Sequence, residues 1–143
     1  MNLDKKDSAI IALLKENSRF SIRDIAKKTG IRPSTVHQRI TQLRKNNVIE
    51  KFTVKLNNRE VNENFIILLL IKTKPSTLID NKMLQNNPHI KEVFGVTGEY
   101  DLLLKLKFKD IEEFNEFIIK FRKEQPVETT LTMVSTTTIK EEI

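Results

Sequence analysis

Apolar side chains recur at helical spacing in three separate runs within the first 46 residues. In the first, Ile10, Leu13 and Leu14 make one face and Ile11 broadens it, so a helix is expected from a cap at Asp4 to about Asn17. In the second, Ile22, Ile25 and Ala26 point one way. Ser21 and Asp24 there have the spacing of a capping box, and Gly30 supplies a left-handed stop. The third starts at Pro33, whose missing N–H is harmless at the first helical position, and extends to about Asn46. Val36, Ile40 and Leu43 share its apolar side. At about 100° per residue, Ser34, Gln38, Thr41 and Lys45 fall about 140–200° from Val36, with Gln42 at about 240° and His37 on the flank at about 100°.

After Asn46 the period changes. Val48, Ile49, Phe52, Val54 and Leu56 include an alternating run, expected to form an ordered strand before a polar, asparagine-containing junction, and Gly/Ser-rich linker composition is missing. From residue 65 the pattern predicts a strand at 65–74, a helix at about 76–86, strands at 90–97 and 101–108, a helix at about 110–123 and a strand at 127–138. That order, βαββαβ, is the ferredoxin-like plan. Leu102, Leu104, Leu106 and Phe108 alternate along one strand, and Phe114, Phe117, Ile118 and Phe121 make one face of the helix that follows. The run "FIILLLI" at 65–71 is apolar on both faces. A sheet with helices on one side leaves such a strand needing a second cover, and another copy of the chain supplies it economically.

Charge adds an asymmetry to this pattern. The 143 residues carry a formal charge of +6, but residues 1–60 hold 14 Lys and Arg against 6 Asp and Glu, a net of +8, whereas residues 61–143 hold 11 against 13, a net of −2. The basic excess at one end favours a nucleic-acid or acidic-surface partner for the front portion. Cysteine is absent, which excludes disulfides, thiolate chemistry and Cys-based metal sites. The amino terminus is too often charged for a secretory signal, and "FIILLLI" is far shorter than the roughly 20 residues that span a bilayer. A soluble, cytoplasmic protein without a membrane partner is the expectation.

Three helices in so few residues, the last two separated by a short Gly-containing turn, have the form of a helix-turn-helix. A major groove accepts a helix, and Ser34, Gln38, Thr41, Gln42 and Lys45 are residue types that meet base edges or phosphates there. Arg39 and Arg44 lie nearer the core boundary, where their stems cover apolar surface while the guanidinium groups reach phosphate, positioning rather than specifying. A solvated face of a small bundle would show a similar polar stripe. The trihelical pattern, the Pro start and the local charge excess together favour DNA. His37 reads as exposed or phosphate-contacting, since His89 is the only other histidine and no carboxylate cluster accompanies either. HExxH, P-loop and GxSxG motifs are missing, and Glu112, Glu113 and Glu116 read as a solvated helix face, so no catalytic residue, metal site or cofactor is assigned.

The segments "SIRDIAKKTGIRPSTVHQRITQLRKNNVIEKF" and "VFGVTGEYDLLLKLKF", in this order and spacing, resemble the helix-turn-helix and the Gly-x-x-Gly-x-Tyr-Asp segment of the Lrp/AsnC, or feast/famine, transcription regulators. The resemblance implies an α+β chain: a winged-type helix-turn-helix domain at 1–50, an extended tether at 51–64, and a ferredoxin-like oligomerisation and effector-binding domain at 65–143. It also implies a homodimer that pairs its tether strands and assembles into tetramers or octamers on double-stranded DNA. Thr35 joins the DNA-facing residues, and an amino-acid effector is implied near Gly95, Thr97, Gly98, Glu99, Tyr100 and Asp101. Read from the residues alone, those glycines also fit a tight strand connection, with Asp101 bonding local backbone. One position departs from the family: Arg32 stands where Ser often precedes the proline. Arginine cannot accept the N-terminal amide bonds, so a cap worth around 1 kcal/mol is expected to be absent, leaving Arg32 to reach phosphate. Two other classes fit less of the pattern, a nonspecific architectural DNA-binding protein and a ligand-sensing oligomeric interaction module.

Overall fold

The computed structural model describes residues 2–142, and Met1 and Ile143 lie outside the described residues. The chain divides into two compact units, residues 2–55 and 56–142, the division falling inside the stretch expected to be a tether.

The first unit consists of α1 (Lys5–Glu16), α2 (Ile22–Thr29) and α3 (Pro33–Lys45). Ile10, Ile25, Val36 and Leu43 are fully buried at their junction with Ala26, and Ile11, Leu13, Leu14, Phe20, Ile22, Ile31, Ile40 and Ile49 pack around them. Both early helices open on reciprocal caps. The Ser21 hydroxyl accepts the Asp24 N–H at 3.1 Å while the Asp24 carboxylate accepts the Ser21 N–H at 2.9 Å, as the spacing predicts. Asp4 and Asp7 make a second box of the same kind at α1. Gly30 closes α2 with φ 71°, in the left-handed region where a side chain is disfavoured.

The stretch from Val48 to Leu56 differs from expectation: no strand is present there, and Phe52, Val54 and Leu56 are exposed, whereas the expected turn does follow, at 58–62. A strand needs a ladder partner for its N–H and C=O groups, and among the described residues this segment has none within its own chain. The wing of a winged helix-turn-helix is therefore not formed by the single chain. The Val48 and Ile49 N–H groups donate to the Leu43 carbonyl at 2.9 and 3.1 Å, and farther along the segment the Ser18 hydroxyl donates to the Thr53 carbonyl at 3.3 Å and the Arg44 guanidinium lies over the Phe52 ring at 5.7 Å.

The second unit follows the ferredoxin-like plan: β1 (Phe65–Thr73), α4 (Asn81–Asn86), β2 (Ile90–Gly95), β3 (Leu102–Phe108), α5 (Ile111–Glu124) and β4 (Val127–Val134), in one antiparallel sheet ordered β2-β3-β1-β4. Period 2 sends Ile67, Leu69 and Ile71 of β1 and Leu104, Leu106 and Phe108 of β3 into one core with Ile79, Leu84, Ile118 and Phe121. Phe108 lies against the rings of His89, Phe114 and Phe117. α4 and β4 fall furthest short of the expected ranges. α4 starts at Asn81 rather than about 76, because Pro75 and Ser76 (φ 59°) turn the chain and Asp80 is the residue that caps the helix. β4 stops at Val134 rather than 138, although Ser135 still donates to the Ile66 carbonyl at 2.9 Å.

The other face of the sheet is half apolar and half charged. Leu68, Phe94, Leu131 and Met133 stand exposed on it. At its β2–β3 side, Lys105 and Lys107 converge on Glu141 of the C-terminal segment, at 2.6 and 2.7 Å. Asn58 donates to the same carboxylate at 3.0 Å and accepts from Lys107 at 2.9 Å. Burial pushes the Glu141 carboxyl up, but the hydrogen bonds from Lys105, Lys107 and Asn58 outweigh it and bring the pKa down to about 2.

Candidate functional site

α3 places the nominated DNA residues according to the helical period. With Val36 and Leu43 fully buried, Ser34, His37, Gln38, Thr41, Gln42 and Lys45 are exposed along its other side, and Thr35 is half-buried at the edge. The Thr41 hydroxyl donates to the His37 carbonyl at 3.0 Å, so its remaining capacity toward a ligand is as an acceptor. Arg32 precedes the helix without a side-chain cap bond, and Pro33 sits in the first turn, as its residue type dictates. Arg44 is exposed and rests over Phe52.

Arg39 departs from the reading that its guanidinium extends to phosphate. Its Nη1 lies 2.7 Å from Asp4 Oδ2 and 3.2 Å from both carboxylate oxygens of Asp7, whose side chain is fully buried. These carboxylates hold the guanidinium pKa above its ordinary value, Asp4 contributing most. The Asp4 carboxyl is lowered, first by the Asp7 backbone N–H and then by Arg39.

The helix-turn-helix also presents cations that the periodicity did not single out. A groove of about 460 Å³ is bounded by Lys5, Lys6 and Ala9 of α1, by Thr29, Gly30 and Ile31 of the turn, and by Arg32 and Thr35 at the start of α3. Lys5 and Lys6 are polar positions beside a cap, and a helical wheel read one helix at a time shows them only as solvated. The two consecutive lysines at the head of a basic domain were the available signal.

In the second unit, the nominated effector segment forms the connection from β2 to β3. Gly95 ends β2; Thr97, Gly98 and Glu99 are exposed and Tyr100 is half-buried. The Val96 N–H donates to the Asp101 carbonyl at 2.9 Å, closing the turn, and Gly98 has φ 111°, which side-chain-bearing residues rarely adopt. A Cβ at Gly95 would meet nothing within 4 Å beyond its two chain neighbours among the described residues. Asp101 does make local bonds: its Oδ2 accepts the Thr73 N–H at 2.7 Å and the Thr73 hydroxyl at 2.9 Å, fastening the turn to the end of β1. These two bonds, the backbone one first, lower its pKa. Oδ2 is thus engaged, and the other carboxylate oxygen is the one left open.

His37 and His89 are not brought together with carboxylates into a metal cluster; among the described residues no group of three or more His, Asp or Glu has that arrangement. His89 instead stacks on Phe108 at 4.6 Å, with Nδ1 3.1 Å from the Lys107 carbonyl. Among the described residues no helix is long and apolar enough to cross a membrane.

Known proteins carry the same two parts in the same order. A family model described as the AsnC-type helix-turn-helix domain matches residues 3–44, and one described as the Lrp/AsnC ligand binding domain matches residues 69–143. An uncharacterized HTH-type transcriptional regulator of Pyrococcus horikoshii is 39% identical over 99% of this chain and 97% of its own. The HTH-type transcriptional regulator FL11 of Pyrococcus furiosus is 37% identical over 92% of this chain and 88% of its own. Among solved structures, LrpC of B. subtilis superposes with a TM-score of 0.88 at 25% identity, covering 99% of this chain and 100% of that one. A transcriptional regulator of Neisseria meningitidis in complex with L-Met superposes at 0.90 with 22% identity, covering 99% and 94%. With both family domains matched and relatives similar from end to end, the chain belongs to the Lrp/AsnC family of helix-turn-helix regulators, DNA-binding proteins of transcription and not enzymes.

Proposed function

We propose that this regulator works as a homo-oligomer that reads a pseudo-palindromic operator with paired α3 helices and answers to an amino acid. The observation that carries the DNA half is the division of α3 into a side buried through Val36 and Leu43 and a side exposing Ser34, Gln38, Thr41, Gln42 and Lys45. Such a helix fits a major groove, with the glutamines on base edges and Lys45, Arg32, Lys5 and Lys6 toward phosphates. The exposed apolar half of the sheet, Leu68, Phe94, Leu131 and Met133, fits a second copy of the chain. The extended segment at 46–56 fits strand pairing between the two copies, and further contacts between dimers would give tetramers or octamers.

For the effector, the L-Met complex of the Neisseria regulator supports an amino acid, and the turn at 95–101 offers exposed backbone and the free oxygen of Asp101. A ligand shifts assembly only by binding its states unequally, which a site at a contact between dimers allows.

Binding to genomic fragments across several salt concentrations tests the regulator reading, with selection of preferred sequences from a random pool. A few fragments should bind far above the rest. Uniform affinity for all would favour the architectural class, and no binding by a folded oligomer would favour a ligand-sensing module. Calorimetry across the amino acids, with light scattering of the wild type and of a folded Asp101→Ala variant, tests the effector. Unchanged affinity in that variant would remove Asp101 from the site, and silence from every amino acid would reject the effector class.

A further inference from the structure

We infer that Arg39 is a positioning residue of the recognition helix, a strut from α3 to the Asp4–Asp7 pair at the head of α1 that sets the roll of the reading side chains, and not a phosphate contact. The inference rests on the DNA-reading role of α3 proposed above.

Three observations carry it. The first is reach: a single nitrogen, Nη1, bridges both carboxylates, at 2.7 Å from Asp4 and 3.2 Å from Asp7, across 35 and 32 residues of chain. The second is the state of Asp7. Its side chain is fully buried and, among the described residues, bonded besides only to the Asp4 N–H at 3.1 Å, so releasing Arg39 to a phosphate would leave a buried carboxylate without this countercharge. The DNA backbone competes poorly for a cation held on those terms. The third is placement. Arg39 follows Gln38 and stands one turn before Gln42 and Leu43, on the side of α3 facing α1 and away from the exposed stripe.

The mechanical consequence is a matter of radius. A helix with its side chains is about 10 Å across, so a roll of roughly 10° moves a tip by about 1 Å. Hydrogen bonds to a base edge hold over a few tenths of an ångström. Apolar packing through Val36, Ile40 and Leu43 is non-directional and tolerates such a roll, whereas two carboxylates fixed by a capping box and meeting one guanidinium do not. Sequence discrimination therefore depends on a residue that touches no base.

The full-length protein with Arg39→Gln, Arg39→Lys, Asp7→Asn and the Asp7→Asn/Arg39→Gln double change tests this by anisotropy on a selected operator and on random duplex across a salt series. Folding is checked by circular dichroism. A strut predicts that Arg39→Gln and Asp7→Asn each reduce the operator-to-random affinity ratio about tenfold or more, that the slope of log K against log salt stays as in wild type, and that the double variant is no worse than the poorer single. Arg39→Lys separates the roles most sharply. Lysine serves a phosphate as a point charge, but its stem is one bond shorter than the arm that carries Nη1 to both carboxylates, so a strut predicts lost discrimination and a phosphate contact predicts near-native binding. A slope reduced by about one in Arg39→Gln, with discrimination intact in Asp7→Asn, would overturn the inference. Failure of the wild type to prefer any sequence would instead sink the regulator reading.

Discussion

Glu141→Gln is expected to destabilise the sheet unit near neutral pH and to lose that effect in acid. The carboxylate lies 2.6 Å from Lys105, 2.7 Å from Lys107 and 3.0 Å from Asn58, and its side chain is 13% exposed. A folded pKa of about 2 against an ordinary 4.5 corresponds to at most about 3 kcal/mol of stability in the ionised form. Glutamine retains part of the hydrogen bonding, so about 1–3 kcal/mol is the expected difference between the two proteins at pH 7. Because the folded pKa is depressed, this contribution is complete above about pH 5 and disappears as pH falls from about 4.5 toward 2. Carboxylates that share no partner with Glu141 contribute alike to both proteins and cancel in the comparison. Urea unfolding followed on the amide resonances of β3, at fixed protein concentration because association shifts stability, gives the gap at each pH. A gap that is absent at pH 7, or constant down to pH 2, would refute the account of this network.

Gln38→Ala and Gln42→Ala should each cost roughly 1–3 kcal/mol of discrimination between operator and random DNA, whereas Lys45→Ala should weaken all duplexes evenly; competition binding distinguishes the two patterns. Identical sequence preference after both glutamine changes would show that other side chains read the bases. Phe108→Ala removes a fully buried ring packed against His89, Phe114 and Phe117 and should cost about 3–5 kcal/mol in urea denaturation. Leu131→Asp puts a charge on the exposed face of the sheet, at little cost to the single chain; if that face seats a second copy, sedimentation should show a marked shift toward monomer.

The helix caps, the turn before α3 and the two-residue period of β1 and β3 were legible because each depends on neighbours within a few positions. Ser21 and Asp24, Gly30, Pro33 and the Leu104–Leu106–Phe108 alternation are of this kind. What could not be read was set by partners distant in the chain. Arg39 looked free because Asp4 and Asp7 are more than 30 residues away, and nothing local announces that Glu141 returns to Lys105 and Lys107. The segment at 46–56 has strand composition without a strand because composition specifies a preference, whereas a ladder requires a second backbone. In the turn at 95–101, both readings of Asp101 rested on the same carboxylate. The geometry assigns one oxygen to Thr73 and leaves the other open.

The uncapped start of α3 sets a trade between endurance and grip. Arg32 offers no acceptor to the amides of the first turn, and Pro33 has no amide to satisfy, so the free protein leaves the donors of Ser34 and Thr35 to water. A serine at position 32 would occupy one of those donors permanently and make the isolated domain sturdier. The same bond would then have to break before a phosphate oxygen could take its place. With arginine there, the helix end is slightly less stable when alone and, if it meets phosphate as proposed, offers both a cation and open amides at the positive end of its dipole.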